Sequence, residues 1–173
     1  FLIKAVLAVA EADFDPDEFA FARSLADVLI EAFEDDDAGG FFFTSHDHEQ
    51  LIQRTKPSFD NATPSGNGVA AFALQRLWHW TGDARYVESA ENALHAFAGA
   101  MRERPSGHGS LLGALDEHFD PPRLLILSGP ADGVRAWHST VAMEYRPSLL
   151  VVSQAPGMKL PESLSRPATE RVN

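Results

Sequence analysis

Twice in the first hundred residues the same punctuation recurs: a helical stripe, a short break ending in aspartate, and a second helix with an aromatic in its first turn. Leu2, Val6, Val9 and Ala10 fall at i, i+4, i+7 and i+8, the spacing of one helix face. Asp15 then offers a carboxylate to the free N–H groups of the next turn, and Pro16 carries the fixed φ of a first helical position. Asp17 and Glu18 complement the positive end of that helix. It is expected to run to about Phe33, burying Phe19, Ala22, Ala26, Leu29, Ile30 and Phe33, until EDDDAGG ends it. In the second unit Ser65 caps a helix from about Gly66 to Trp80, with Val69, Ala73, Leu77 and Trp80 on its apolar face. TGD breaks it, and Asp83 caps the next helix, about Ala84 to Arg102, with Tyr86 in the place of Phe19. One such hairpin cannot bury its own apolar face, so a repeated hairpin implies a solenoid or a closed α/α toroid. A further helix, about Gly109 to Phe119, reads as the first member of a third pair.

Two stretches interrupt the helical pattern. GGFFFTSHDHEQLIQR has two glycines, three aromatics, a polar turn at Ser45–His48 and then Leu51 and Ile52, the pattern of a short β-hairpin. Beyond DPP, RLLILSG is a short apolar strand, PADGVRAWHSTVAMEYR a helix and SLLVVSQ a second strand. That order is a βαβ unit, with parallel strands and a right-handed crossover expected. Two parallel strands are marginal alone, so the unit must dock on the helices or on further sequence. The expected fold is therefore mainly α: a partial α/α toroid of helical hairpins with a small β-hairpin over residues 1–120, and a βαβ unit packed on it over 121–155. An extended tail follows over 156–173, where Pro156, Pro161 and Pro167 oppose regular structure. The chain opens at Phe1 in mid-pattern, without an initiating methionine or a basic signal-peptide start, and is expected to be a piece of a longer polypeptide.

Composition excludes more than it names. With 45% apolar residues in 173, the chain can bury a sizeable core. Lys and Arg number 14 against 25 Asp and Glu, a net charge of −11, so a nucleic-acid backbone or an anionic membrane surface is repelled, and no dense basic patch compensates. The longest apolar runs, such as Ala5–Ala10 and Val69–Leu74, fall far short of the roughly 20 residues of a membrane span. The lack of cysteine removes disulfides, thiol catalysis and cysteine metal sites, and fits a reducing cytoplasm.

Four stretches, GGFFFTS, DNATPSGNGVAAFALQRL, TGDARYVESAE and PPRLLILSG, together resemble the bacterial thioredoxin-domain-containing proteins of the spermatogenesis-associated protein 20 type. The resemblance runs over about residues 1–155 and is most specific at 60–68. It implies a six-hairpin-glycosidase-like toroid fused to an N-terminal thioredoxin-like domain, with two to three hairpins supplied by this chain. The implied partners are the missing hairpins and the thioredoxin-like domain of the same parent. A toroid cut open bares apolar surface, so self-association is a further expectation. A weaker likeness, to the N-acylglucosamine 2-epimerases, implies that Asp60, Asn61, Ser65 and Asn67 face a central sugar cavity. The epimerase acid–base set is not matched, because no His or Glu lies between Asp60 and Trp78.

Asp60 is the one carboxylate of residues 60–68 and the candidate catalytic acid or base, if desolvated. Glycoside hydrolysis needs a second carboxylate about 5–10 Å away, for which Glu49, Asp116 and Glu117 are candidates. Asn61, Ser65, Asn67, Phe42 and Trp78 are the candidate substrate-binding residues, the aromatics because a sugar face packs on a ring. The competing assignment is structural: an Asx turn at Asp60 and Asn61, an N-cap at Ser65, close approach at Gly66 and Gly68, and core aromatics. His46, Asp47 and His48 form an H-D-H turn without a third ligand, and no helical i, i+4 histidine pair occurs, so neither metal nor cofactor is expected. SGPADG joins strand to helix but lacks a full phosphate-loop pattern. Two functions remain: a carbohydrate-active or sugar-binding parent of which this piece alone is inactive, and a non-catalytic scaffold coupled to the thioredoxin-like domain.

Overall fold

The computed structural model describes residues 1–48 and 53–154, together with Gly157, Leu160 and Leu164. Helices α1 (Leu2–Ala12), α2 (Pro16–Phe33), α3 (Gly66–Thr81), α4 (Ala84–Ala96) and α5 (Ala98–Glu103) lead through a 3-10 turn at Pro105–Gly107 into α6 (Gly109–Phe119). Strand β1 (Arg123–Ser128), α7 (Ala131–Ala142) and β2 (Leu149–Gln154) follow, so the fold is mainly α with one small sheet. The predicted caps are local and form as read. Asp15 Oδ1 accepts from the N–H groups of Asp17 and Glu18 at 2.8 and 3.1 Å, and Ser65 Oγ accepts from Gly68 N at 3.0 Å. Asp83 Oδ1 accepts from Arg85 N at 3.1 Å, just after Gly82 closes α3 in the left-handed conformation.

Hairpin α1–α2 packs on hairpin α3–α4 through α1 and α3, and α6 lies on α3 from another side. Eleven of the sixteen residues of α3 are buried as a result, so α3 is the axis of the core. Close approach of α6 depends on Gly68: a Cβ there would stand 2.7 Å from the backbone of Ser110 and Leu111. Phe14, Phe19 and Trp80 stack at the centre, with ring centroids 5.1 to 5.5 Å apart. Two polar ties join the hairpins: Tyr86 Oη donates to Asp27 at 3.0 Å, and Ser89 Oγ to Glu34 at 2.8 Å. The second hairpin departs from expectation at Phe97, where the helix expected to reach Arg102 is divided into α4 and α5.

Among the described residues the glycine- and phenylalanine-rich run forms one isolated antiparallel bridge, Glu34↔Phe41, and one backbone bond to the segment that returns beside it, Phe43 N to Thr55 O at 2.9 Å. The expected returning strand, Leu51 and Ile52, and the candidate Glu49 lie outside the described residues. Phe41 and Phe42 turn back on the end of α2: Phe42 N donates to Phe33 O at 2.8 Å, and Asp35 N to Gly40 O at 2.9 Å. Gly39 and Gly40 allow the reversal with φ of 70° and 77°. The βαβ unit forms with parallel strands in register from Arg123↔Leu149 to Ser128↔Gln154. It docks through β2 on α1, with Leu150 and Val152 fully buried, whereas α7 has no buried residue. Most of the expected tail also lies outside the described residues; Leu160 and Leu164 within it are buried.

Candidate functional site

The N-terminal end of α3 opens into a cleft of about 580 Å3. Its walls come from α1 and α2, from Phe41, Phe42 and Phe43, and from the loop over residues 57–65. Of the candidate residues, Phe42, Asn61, Ser65 and Asn67 line this cleft, and Asp60 and Trp78 do not. No titratable side chain is among the described residues that line it.

Asp60 sits behind the cleft and holds two elements together. Its Oδ1 accepts from Ser65 N at 2.7 Å and from Ser110 Oγ at 2.5 Å, and its Oδ2 accepts from Ser110 N at 2.7 Å. Helix α6 has no cap from its own N-cap residue, His108, so Asp60 supplies one from 50 positions away. Its own N–H donates to Gly107 O at 2.7 Å. Burial pushes the Asp60 carboxyl up, but the Ser110 hydroxyl, the N–H groups of Ser110 and Ser65 and nearby His108 outweigh it and leave the pKa below the usual carboxylate range. An ionised carboxylate with its oxygens committed in this way is a poor proton donor.

Asn67 is 2% exposed and makes three bonds to main chain. Its Oδ1 accepts from Phe41 N at 2.6 Å, while Nδ2 donates to Phe41 O and to Pro57 O, both at 3.0 Å. Both flanking loops are thereby fastened to the first turn of α3. Ser65 is the N-cap, so its hydroxyl is likewise occupied. Asn61 is exposed, and its N–H closes a turn on Thr63 O at 3.1 Å. Phe42 is half-buried beneath the Arg54 guanidinium, 3.9 Å from the ring centroid, with Lys56 Nζ at 5.3 Å. Phe43 and Phe59 are 74% and 46% exposed and offer the free ring surface at the mouth. Trp78 lies more than three helical turns along α3 from Ser65 and packs on His79, with centroids 4.6 Å apart.

The two remaining candidate carboxylates do not join Asp60. Asp116 is exposed, and Glu117 lies about 10 Å along α6 from Ser110, at a rise of about 1.5 Å per residue. Glu117 takes a bidentate pair from Arg76, 2.5 Å to Nε and 2.6 Å to Nη2. Arg76 Nη1 also lies 3.6 Å from Glu11 Oε1, and Nη2 donates to Pro147 O at 3.1 Å. One guanidinium thus ties α3 to α6, to α1 and to the turn before β2. Burial pushes both Glu11 and Glu117 up, against the pull of Arg76. The Arg76–Glu11 edge borders a second cleft of about 550 Å3, shared with Phe72, Tyr145 and Arg146. His108, another residue without a sequence signal, is 4% exposed; its Nδ1 carries the proton donated to Arg104 O at 2.8 Å, and its Nε2 lies 3.4 Å from Ser58 Oγ. Among the described residues no cluster of three or more His, Asp or Glu is arranged to hold a metal ion. No described helix is long and apolar enough to cross a membrane.

The sequence has distant relatives. The chain is similar to spermatogenesis-associated protein 20 of Rattus norvegicus, 28% identical over 130 residues, which is 75% of this chain and 16% of that protein. It is 26% identical to the Homo sapiens protein of the same name over 155 residues, 88% of this chain and 20% of that protein. The chain spans about a fifth or less of the length of these curated relatives. No family model matches the chain. The likeness is a distant homology over most of the chain.

Proposed function

We propose that this chain acts by binding, as part of an α/α toroid of helical hairpins over residues 1–120 with the βαβ unit of residues 121–155 appended to it. The observation that carries this reading is the lining of the cleft at the start of α3: aromatic rings, Asn61 and Thr63, with no titratable side chain among the described residues. Such a surface suits a ligand with one apolar face and a hydroxylated rim, and a saccharide in the full-length protein is the class that fits. Phe43 and Phe59 would stack on the ligand and Asn61 would reach its hydroxyls. Asp60 then supports the site from behind. Glycan-array screening followed by titration calorimetry tests this. A bound saccharide whose affinity drops about tenfold in Phe43→Ala or Asn61→Ala is expected. No saccharide bound, or binding indifferent to both changes, overturns it.

A second reading rests on a separate observation: the polar atoms of Asp60, Ser65 and Asn67 are engaged inside the molecule. It makes the chain a cytoplasmic, non-catalytic scaffold for a thioredoxin-like domain. Chemical-shift mapping with that domain added in trans separates the two. Shifts on α4 with an undisturbed cleft favour the scaffold, and no shifts anywhere count against it.

A further inference from the structure

Among the described residues the sheet of the βαβ unit has two strands, β1 and β2, and β1 is its exposed side. Arg123 N donates to Ser148 O at 2.9 Å, which sets the parity of the strand. Arg123, Leu125 and Leu127 turn their backbone groups toward β2, and Leu124, Ile126 and Ser128 turn theirs outward. Among the described residues none of those outward groups meets a backbone partner. Strand edges are usually blunted by lysine, proline, a bulge or a covering segment. RLLILS has none of the first three, its only charge is Arg123 at one end, and Leu124 is 37% exposed.

The helix above the sheet adds a second observation. Val134, His138 and Val141 are the half-buried positions of α7, and His138 Nε2 lies 3.4 Å from Glu11 O on α1, the helix that packs against β2. Trp137 stands about 100° round the helix from His138 and so overhangs the β1 side. It is 64% exposed.

We propose that a second copy of this chain docks edge to edge on β1, antiparallel about a two-fold axis at Ile126, to give a four-stranded sheet in the order β2–β1–β1–β2. Each copy donates and accepts at Leu124, Ile126 and Ser128, with Leu124 opposite Ser128 of the other copy. Helix α7 packs against both strands, so strands about 4.8 Å apart place the two copies of α7 side by side about 10 Å apart. That is the spacing of packed helices, and Trp137 from each copy fills the seam. Charge agrees with the register. Arg123 is exposed and without an ion pair among the described residues, and it falls opposite Gly129 of the other copy, on the face where α7 begins. Asp132 stands in that first turn, paired with Arg135 of its own helix but with its side chain 94% exposed, so Arg123 of the other copy can share its carboxylate.

Sedimentation of the intact chain over a range of concentrations provides the test, with Leu124→Pro as the first variant. A proline there removes an outward N–H and leaves the β1–β2 ladder in place. A reversible wild-type dimer is expected, weakened at least tenfold by Leu124→Pro with helical circular dichroism retained. Should that variant misfold, Arg123→Glu is expected to weaken the dimer several-fold and Arg123→Glu with Asp132→Arg to restore it. A wild-type monomer at every concentration overturns the proposal. So does a dimer indifferent to Leu124→Pro, or, if that variant misfolds, to Arg123→Glu, since either would place self-association on another face.

Discussion

Helices α3 and α7 end in opposite environments. Eleven of the sixteen residues of α3 are buried, against none of the twelve of α7. The difference begins in their sequences. GNGVAAFALQRLWHWT carries small or apolar residues on every face, so α1, α4 and α6 can each close on it, whereas ADGVRAWHSTVA has one narrow stripe that a single sheet covers. The helical body is thus organised around an axis, while the βαβ unit leans on that body through β2, one guanidinium and the His138 ring against Glu11 O. The contrast teaches that a helix's length says little about its contribution to stability. What matters is how many faces are covered, and whether polar groups drawn inside find partners.

The largest break in this contrast is expected at Arg76, the residue both regions share. Arg76→Ala leaves Glu117 buried without its cation and frees Pro147 O, and should cost about 3–5 kcal/mol in denaturant unfolding. Combining Arg76→Met with Glu117→Leu should recover most of that loss, and a double variant as unstable as the single would refute the ion-cluster account. Next comes Asn67→Ala, which strands the backbone groups of Phe41 inside the body. A loss of about 1–3 kcal/mol is expected, with faster amide exchange at Phe41 as the local readout. Asp60→Ala should cost about 0.5–2 kcal/mol by uncapping α6. Because the Asp60 carboxyl is held below its ordinary pKa, its contribution is complete above the unfolded-state carboxylate range and is lost as pH falls through the folded value. Acid titration of stability should therefore be flatter in Asp60→Ala than in wild type. At the bottom of the scale, Met143→Ala, at a position 86% exposed beside α7, should change stability by less than about 0.5 kcal/mol. A large effect there would erase the distinction between the two regions.

Much of the helical body is legible along the chain because its signals are local. Asp15, Ser65 and Asp83 cap where a single turn of sequence says they should, and the boundaries of α2, α3 and α6 follow within a residue or so. The candidate site was less legible. Phe42, Asn61, Ser65 and Asn67 come together in one cleft, but Trp78 belongs to another part of α3 and Asp60 faces α6. Asn67 reaches Phe41 across 26 positions, Asp60 reaches Ser110 across 50, and Arg76 reaches Glu117 across 41. No spacing rule on one chain links such pairs. In the glycine- and phenylalanine-rich run, too, the partners of Phe41 and Phe42 are set at a distance, since Asn67 and the end of α2 take up their backbone groups.

By itself the sequence determined a mainly helical chain of paired helices, their caps and breaks, and a terminal unit of two parallel strands, because each depends on side-chain chemistry within a few residues of the backbone it governs. The tertiary structure decided which polar groups became fasteners, where the cleft opened, and which strand edge was left bare. Those outcomes depend on which distant surfaces meet, and burial sets the value of a carboxylate or an amide only once its partner has arrived.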